Sequence, residues 1–174
     1  MTKEELRAKQ APLKEKYKQD PASALVVHHS SGDISPDDVN CTVETFSGKI
    51  ISGLHPAAGG DGSEACSGDM LLDALVACAG VTFKAVSLAM GIQYRKAEIR
   101  AEGDLDFRGT LAVSKDVPVG FKKIRMYFDI DSDEEKEKLD KLIELTERYC
   151  VVYQTLKSGV PDLDTLLSVK NPQS

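Results

Sequence analysis

Two cysteines, Cys78 and Cys150, are the residues of this 174-residue chain whose type and surroundings could support chemistry. Cys78 lies in an almost wholly apolar stretch, and Cys150 closes a strongly amphipathic stretch that runs from Leu139 to Tyr149. Neither cysteine belongs to a CxxC pair, so thiol redox chemistry is favoured over a zinc site. The alternative is that both are small buried hydrophobic residues.

The composition limits the class of partner. Hydrophobic residues make up 41% of the chain and charged residues 29%, which is ordinary for one globular domain of this length. The formal net charge is −6. Nucleic acids and anionic membranes favour basic surfaces, so we expect neither as a partner.

The longest apolar stretch, Met70 to Ile92, predicts a buried core helix. A membrane span would have to bury Asp73 and Lys84, at an expense of several kcal/mol. The charged N-terminus lacks the apolar core of a signal peptide. Four cysteines without a secretory signal are typical of free thiols in a reducing compartment, so we expect a cytoplasmic protein.

No metal is predicted. The adjacent His28 and His29 would point to opposite faces of a strand, so both cannot easily bind one ion. The acidic run Asp129, Asp131 and Asp133 superficially resembles a calcium loop. It lacks the glycine and glutamate that such a loop requires. A helix capping box, with Ser132 as N-cap and Glu135 three residues later, explains this segment better.

The chain divides into an N-terminal helical extension over residues 1–21 and a single domain over residues 22–174. Pro12 is expected to split the extension into two short helices, because proline fits a first turn better than a helix interior. The domain pattern predicts strands near residues 24–29, 39–45, 97–107 and 124–130, with a turn-rich loop over residues 30–36 and a hairpin turn at Ser47-Gly48 into residues 49–54. It also predicts a helix from about Asp69 to Met90, capped by Ser67 and followed by Gly91. An amphipathic helix ends at Cys150, and residues 151–156 form a short apolar exit from it.

Strands joined by hairpins, with the helices set apart, indicate an α+β fold with antiparallel sheets around a long buried central helix. The predicted central helix is apolar on nearly all sides. A few strands of one small chain cannot cover it, so we expect an intertwined homodimer in which the partner covers the remaining face.

At these residues the sequence resembles the osmotically inducible protein C and organic hydroperoxide resistance (OsmC/Ohr) family. The resemblance is carried by three separated motifs in the order that the family shows: Ser67-Gly68-Asp69-Met70-Leu71-Leu72 leading to Val76-Ala77-Cys78; Gly120-Phe121-Lys122-Lys123-Ile124; and Glu147-Arg148-Tyr149-Cys150-Val151-Val152. It covers roughly residues 22–160 and leaves the N-terminal extension outside.

The resemblance implies a cofactor-free cysteine peroxidase that acts on organic hydroperoxides as an intertwined homodimer. Cys78 would be the peroxidatic thiol, which attacks the O–O bond and becomes a sulfenic acid. Cys150 would be the resolving thiol, which forms a disulfide that an external dithiol reduces. An apolar pocket lined by residues such as Leu75, Val81 and Val151 would suit an organic hydroperoxide.

The chain departs from the family at the group that activates the thiol. Peroxidase members use an arginine from the N-terminal strands, and this chain has no arginine between residues 8 and 94. The candidate substitutes, each of which could equally have an ordinary surface role, are Lys49, His28, His29, His55 and Arg7. Lysine would be the poorer replacement, because it lacks the bidentate fork of a guanidinium.

Three further residues near the motif are candidates for the site. Asp69 matches the family carboxylate, although it could simply complement the dipole at the start of the helix. Asp73 lies five residues before Cys78 and would point about 140° away from it on a helix. Cys66 is either an alternative resolving thiol or a structural cysteine.

Two other functions fit the same fold. The protein could be a dimeric small-molecule-binding protein without turnover, in which case the pKa of Cys78 should be ordinary and no cation should lie beside it. It could also be a redox sensor in which a disulfide between Cys78 and Cys150 alters a partner surface.

Overall fold

The computed structural model describes residues 1–160 and 163–168. Residues 161–162 and 169–174, which include the end of the predicted domain, lie outside the described part of the chain.

The described residues form an α+β fold, as predicted, with two small sheets and one long central helix. The helices are α1 (Lys3–Gln19), α2 (Ser67–Met90), α3 (Phe107–Thr110), α4 (Lys136–Tyr149) and α5 (Val151–Ser158). The strands are β1 (Ser31–Ile34), β2 (Cys41–Thr45), β3 (Gly48–Gly53), β4 (Ala65–Cys66), β5 (Lys96–Asp104) and β6 (Lys123–Asp131). Short 3-10 turns cover Pro21–Ala24 and Pro56–Ala58.

The first sheet has the strand order β1-β2-β3-β4. Strands β1, β2 and β3 are antiparallel, and a two-residue parallel bridge joins β3 to β4. The predicted hairpin forms between β2 and β3, where Thr45 faces Gly48 across a two-residue turn. Gly48 has φ 130°, which a side chain would oppose. The second sheet pairs β5 with β6 antiparallel, from Lys96 opposite Asp131 to Asp104 opposite Lys123.

Helix α2 is the central element. It begins directly after β4 and ends at Gly91, whose φ of 72° gives the left-handed stop predicted for this residue. Its buried residues, Leu75, Ala79, Phe83 and Ser87, recur every four positions and form one face. That face packs against β5, α4 and α5.

The core consists of two clusters along this buried face. The first is built around Leu75, Ala79 and Cys150, and the second around Phe83, Ile92 and Leu142. The inward-facing side chains of Ile99 on β5 and Phe128 on β6 contact both clusters. The two-stranded sheet therefore holds α2, α4 and α5 in a fixed relation to one another.

The opposite face of α2 is left open in the single chain. Only 22% of its most apolar 18-residue stretch is buried, and by length and composition alone the helix could cross a membrane. Asp73 and Lys84 are exposed on it, and Val81 is 74% exposed. One chain thus covers only one side of this apolar helix.

Several local predictions were wrong. Helix α1 runs unbroken through Pro12, because a Thr2–Glu5 capping box and a run of strong helix formers support it on both sides. The strand predicted at residues 24–29 is irregular, and the first strand is instead β1, in the segment predicted as a loop. The difference lies in strand pairing, because β1 pairs with β2 whereas the apolar residues 25–27 remain exposed.

The predicted helix caps also differ by a few residues. Cys66, not Ser67, is the N-cap of α2, and its side chain makes no capping bond. The capping box at Ser132 does not form, because α4 begins later, after Glu135. The Ser132 hydroxyl instead donates to the carbonyl of Gln93 at 2.5 Å and so ties the start of α4 to the loop after α2.

Replacement of Leu142 by alanine should lower the free energy of unfolding by about 2–5 kcal/mol, because this fully buried side chain would leave a cavity between α4 and α2. Urea denaturation at a fixed protein concentration measures the change. The control is Leu13→Ala on α1, where the side chain is 48% exposed and a change of about 0.5 kcal/mol or less is expected. Equal losses in both variants would contradict this account of the core.

Candidate functional site

The fold brings Cys78 and Cys150 into contact, although 72 residues of sequence separate them. Cys150 is fully buried against Leu75 and Ala79, and Cys78 packs on the edge of the same cluster. Both thiols are free, and each lies close enough to shift the pKa of the other. The pair has the composition of a dithiol that can cycle through a disulfide.

Cys150 owes its position to a sharp junction between two helices. Its backbone is extended, with φ −78° and ψ 109°, so α4 stops at Tyr149 and α5 starts at Val151. Its amide donates to the carbonyl of Thr146 at 2.9 Å, which completes α4. Its sulfur accepts from the amide of Tyr153 at 3.5 Å, which caps α5.

The junction directs the first amides of α5 at Cys78. Amides in the first turn of a helix have no acceptor within that helix. The N–H groups of Val152 and Val151, the Cys150 thiol and the Thr82 hydroxyl lie near the Cys78 sulfur as donors available to its thiolate. Partial burial raises the pKa of Cys78, but these four donors outweigh it and hold the pKa below its ordinary value.

Cys150 is tuned in the opposite direction. Burial raises the pKa of its thiol, and the neighbouring Cys78 adds to the rise. Of the two thiols, the partly exposed Cys78 is therefore the more acidic and the buried Cys150 the less acidic.

The structure does not bring Asp69, Asp73 or Cys66 to this pair. Asp69 lies nine residues before Cys78 on one continuous helix, roughly 13 Å along its axis, and Cys66 lies roughly 18 Å away. Asp73 is exposed on α2. Among the groups that shift the pKa of Cys78 most, no carboxylate is present.

The predicted substitute cations lie elsewhere within the chain. Lys49 forms an ion pair with Glu44 at 2.8 Å on the β2–β3 hairpin. His55 stacks on Phe107 with a ring-centroid distance of 4.9 Å, and its Nδ1 accepts from the amide of Ala57. No cation is among the main groups that shift the pKa of Cys78, so backbone amides take that role in the single chain.

His28, His29 and Arg7 are the remaining candidates. The two histidines lie in the irregular segment before β1, where both are exposed, and Arg7 is exposed on α1. His55 instead lines a cleft of about 360 Å³ together with Cys66 and Asp69, at the start of α2.

Helix α5 was not predicted, because residues 151–156 were interpreted as a short apolar exit from α4. A signal was present: Val152 and Leu156 are four residues apart, Lys157 lies in the last turn, and Gly159 follows the helix. The residues predicted to line an apolar substrate pocket differ in exposure. Leu75 is buried in the core, whereas Val81 and Val151 are exposed beside Cys78.

Residues 60–162 match the model of the OsmC-like protein family. The matched range includes α2, which carries Cys78, and α4, which ends directly before Cys150. The chain belongs to this family. Comparison with curated protein sequences gave no match.

Solved structures with the same fold share little sequence with this chain. An OsmC-like protein from Mycoplasma pneumoniae is 17% identical, with a TM-score of 0.64 over 77% of this chain and 89% of that one. An organic hydroperoxide resistance protein OsmC from Legionella pneumophila is 17% identical, with a TM-score of 0.60 over 77% and 91%. The organic hydroperoxide resistance protein OhrB of Bacillus subtilis is 16% identical, with a TM-score of 0.52 over 77% and 93%.

Val151→Pro should slow alkylation of Cys78 by iodoacetamide several-fold at pH 7. Proline removes one N–H donor to the thiolate, and both the first helical position and the extended backbone of Cys150 before it accept proline. Mass spectrometry of the alkylated peptide measures the rate for Cys78 alone.

The matched control is Val151→Ala, which shortens the same side chain and keeps the amide. Its rate should remain that of the parent protein. The pH dependence of alkylation follows from the lowered pKa of Cys78. As the pH falls, the parent protein should keep its rate to a lower pH than Val151→Pro does, because its thiol stays ionised to a lower pH. Equal rates in Val151→Pro and Val151→Ala would refute the role of the amide.

Proposed function

We propose that the protein is a thiol-dependent peroxidase that reduces organic hydroperoxides through Cys78 and Cys150. One observation carries the proposal: the fold brings two free thiols together in one core cluster, and the partly exposed one, Cys78, has a lowered pKa. Membership of the OsmC-like family supports it, as does the common fold with proteins called organic hydroperoxide resistance proteins.

In the first step the Cys78 thiolate attacks the terminal oxygen of the hydroperoxide. The S–O bond forms as the O–O bond breaks, the sulfur is oxidised to a sulfenic acid, and the alkoxide leaves. The Cys150 S–H beside Cys78 can protonate the alkoxide to the alcohol. That proton transfer leaves Cys150 as a thiolate at the moment when it is needed.

In the second step the Cys150 thiolate attacks the Cys78 sulfur. The disulfide forms and hydroxide leaves, which takes a proton from solvent. An external dithiol then restores both thiols by exchange and is itself oxidised to a disulfide. The reductant would approach Cys78, since Cys150 is fully buried.

The substrate is proposed to be an organic hydroperoxide because the surface beside Cys78 is apolar. Val81 lies one turn after Cys78 on α2, and Val151 lies at the start of α5. Both side chains are exposed in the single chain and can contact a hydrocarbon group, with Val81 shared between this surface and the dimer seam proposed below. We further propose a cytoplasmic location, in keeping with the free thiols.

Replacement of Cys78 by serine should abolish reduction of cumene hydroperoxide, because it removes the thiol that attacks the O–O bond. Cys150→Ser should still react once and then stop at a sulfenic acid, which dimedone traps at Cys78. Peroxide consumption with an added dithiol measures turnover, and mass spectrometry locates the adduct. Cys41→Ser is the matched control and should keep full activity. Turnover that survives in Cys78→Ser would sink the peroxidase and favour a binding or sensing role.

A homodimer is also proposed, because the open face of α2 is apolar. Val81 and Leu71 are exposed on it, and one chain buries little of the helix. A second copy with the same apolar face would cover it symmetrically.

Val81→Asp should shift the protein from dimer to monomer, because a buried, unpaired carboxylate disfavours association. Size-exclusion chromatography with light scattering gives the mass. Val113→Asp is the control: Val113 is 71% exposed, against 74% for Val81, but lies away from α2 in the loop after α3. The dimer assignment fails if the parent protein is monomeric or if both variants behave alike.

A further inference from the structure

An apolar cleft lies between α5 and the start of β6, and the mechanism proposed above does not use it. Its volume is about 340 Å³, within the range of small-molecule sites. Leu75, Ile124, Met126 and Leu156 supply its apolar lining. Neither Cys78 nor Cys150 lines it.

The rim of this cleft carries lysines. Lys122 is occupied, because its amine binds Asp106 at 2.7 Å. Lys123 and Lys157 form no ion pair with a carboxylate in the described part of the chain. Two positive charges beside an apolar lining are thus available for a ligand.

The carboxylate that faces Lys123 across the sheet binds a different side chain. Asp104 faces Lys123 across the β5–β6 ladder, but both of its oxygens accept from Arg125 at 2.6 Å. Lys123 therefore keeps its charge free at the mouth of the cleft. In a chain whose net charge is −6, this is a local exception to the overall acidic character.

Tyr153 adds a neutral donor at the same rim. Its hydroxyl accepts from the amine of Lys157 at 3.5 Å, and that amine lies 5.3 Å from the centre of its ring. An accepting hydroxyl retains its own O–H for donation. The Lys157 ammonium and the Tyr153 hydroxyl can therefore donate to one acceptor group together.

We propose that this cleft binds a monocarboxylate with an aliphatic chain, such as a medium-chain fatty-acid anion. The chain would occupy the surface formed by Ile124, Met126 and Leu156, above the buried Leu75, where it is removed from water. The carboxylate would accept from Lys157 and Tyr153, with Lys123 as the second cation. The proposal does not rest on the peroxidase chemistry, and its test varies Lys123 and Lys157, which take no part in that chemistry.

Isothermal titration calorimetry with sodium octanoate tests the proposal directly. Octanoate should bind at least tenfold more tightly than octan-1-ol, which has the same chain without the charge. The double variant Lys123→Gln/Lys157→Gln should lose that preference and bind octanoate no better than octanol. Lys9→Gln/Lys14→Gln on α1, which also removes two lysines, should bind as the parent protein does. Absent binding, equal affinity for the two ligands, or an unaffected double variant would each overturn the site.

Methyl NMR spectra locate the ligand. Octanoate should shift the signals of Ile124 and Leu156 and leave those of Leu142, in the second core cluster, unchanged. Shifts confined to other methyl groups would contradict the assignment. Cys78→Ser should bind octanoate as the parent does, so loss of the peroxidase assignment and loss of this site are distinguishable.

Discussion

The geometry of the site depends on the extended backbone of one residue, Cys150. Because this residue leaves the helical conformation, one amphipathic segment becomes two helices with separate directions. The second helix then presents unpaired amides at its start, near the sulfur of Cys78, whose thiolate can accept from them. Cys150 thus ends α4, caps α5, packs in the core and supplies the second thiol.

This arrangement accounts for an activated cysteine in a chain without the expected arginine. A thiolate needs positive potential or donated hydrogen bonds, and a helix start provides both. Backbone amides have a further consequence: they do not depend on a particular side chain. The lowered pKa of Cys78 therefore depends on the packing that holds α5 against α2, chiefly the cluster of Leu75, Ala79 and Cys150.

The order of elements was accessible from the sequence because it depends on strong local patterns, whereas the pairing of Cys78 with Cys150 was implied only by the family resemblance. The 24-residue α2 is apolar and is followed by a glycine that ends it. Apolar and polar residues alternate along β6, and the apolar residues of α4 recur at helical spacing. The strand predicted at residues 24–29 failed because strand formation requires a partner. Residues 25–27 are apolar enough, but β2 pairs with Ser31–Ile34 instead.

The source of thiol activation was beyond sequence reasoning for a different reason. A backbone amide has no signature in the sequence, and its direction follows from where a helix begins. Lys49 and His55 were predicted as substitute cations, but Lys49 pairs with Glu44 and His55 stacks on Phe107. Asp69 and Cys66 adjoin the motif in sequence, yet helix rise separates them from Cys78.

The most direct test of the central claim is a titration of thiolate absorbance at 240 nm, taken as the difference between the parent protein and Cys78→Ser. The account predicts a Cys78 transition below the ordinary thiol pKa of about 8.5. The transition should move upward in Val151→Pro, where one amide donor is absent. A Cys78 transition at or above the ordinary value would contradict the account, since the amides of α5 would then do nothing for the thiolate.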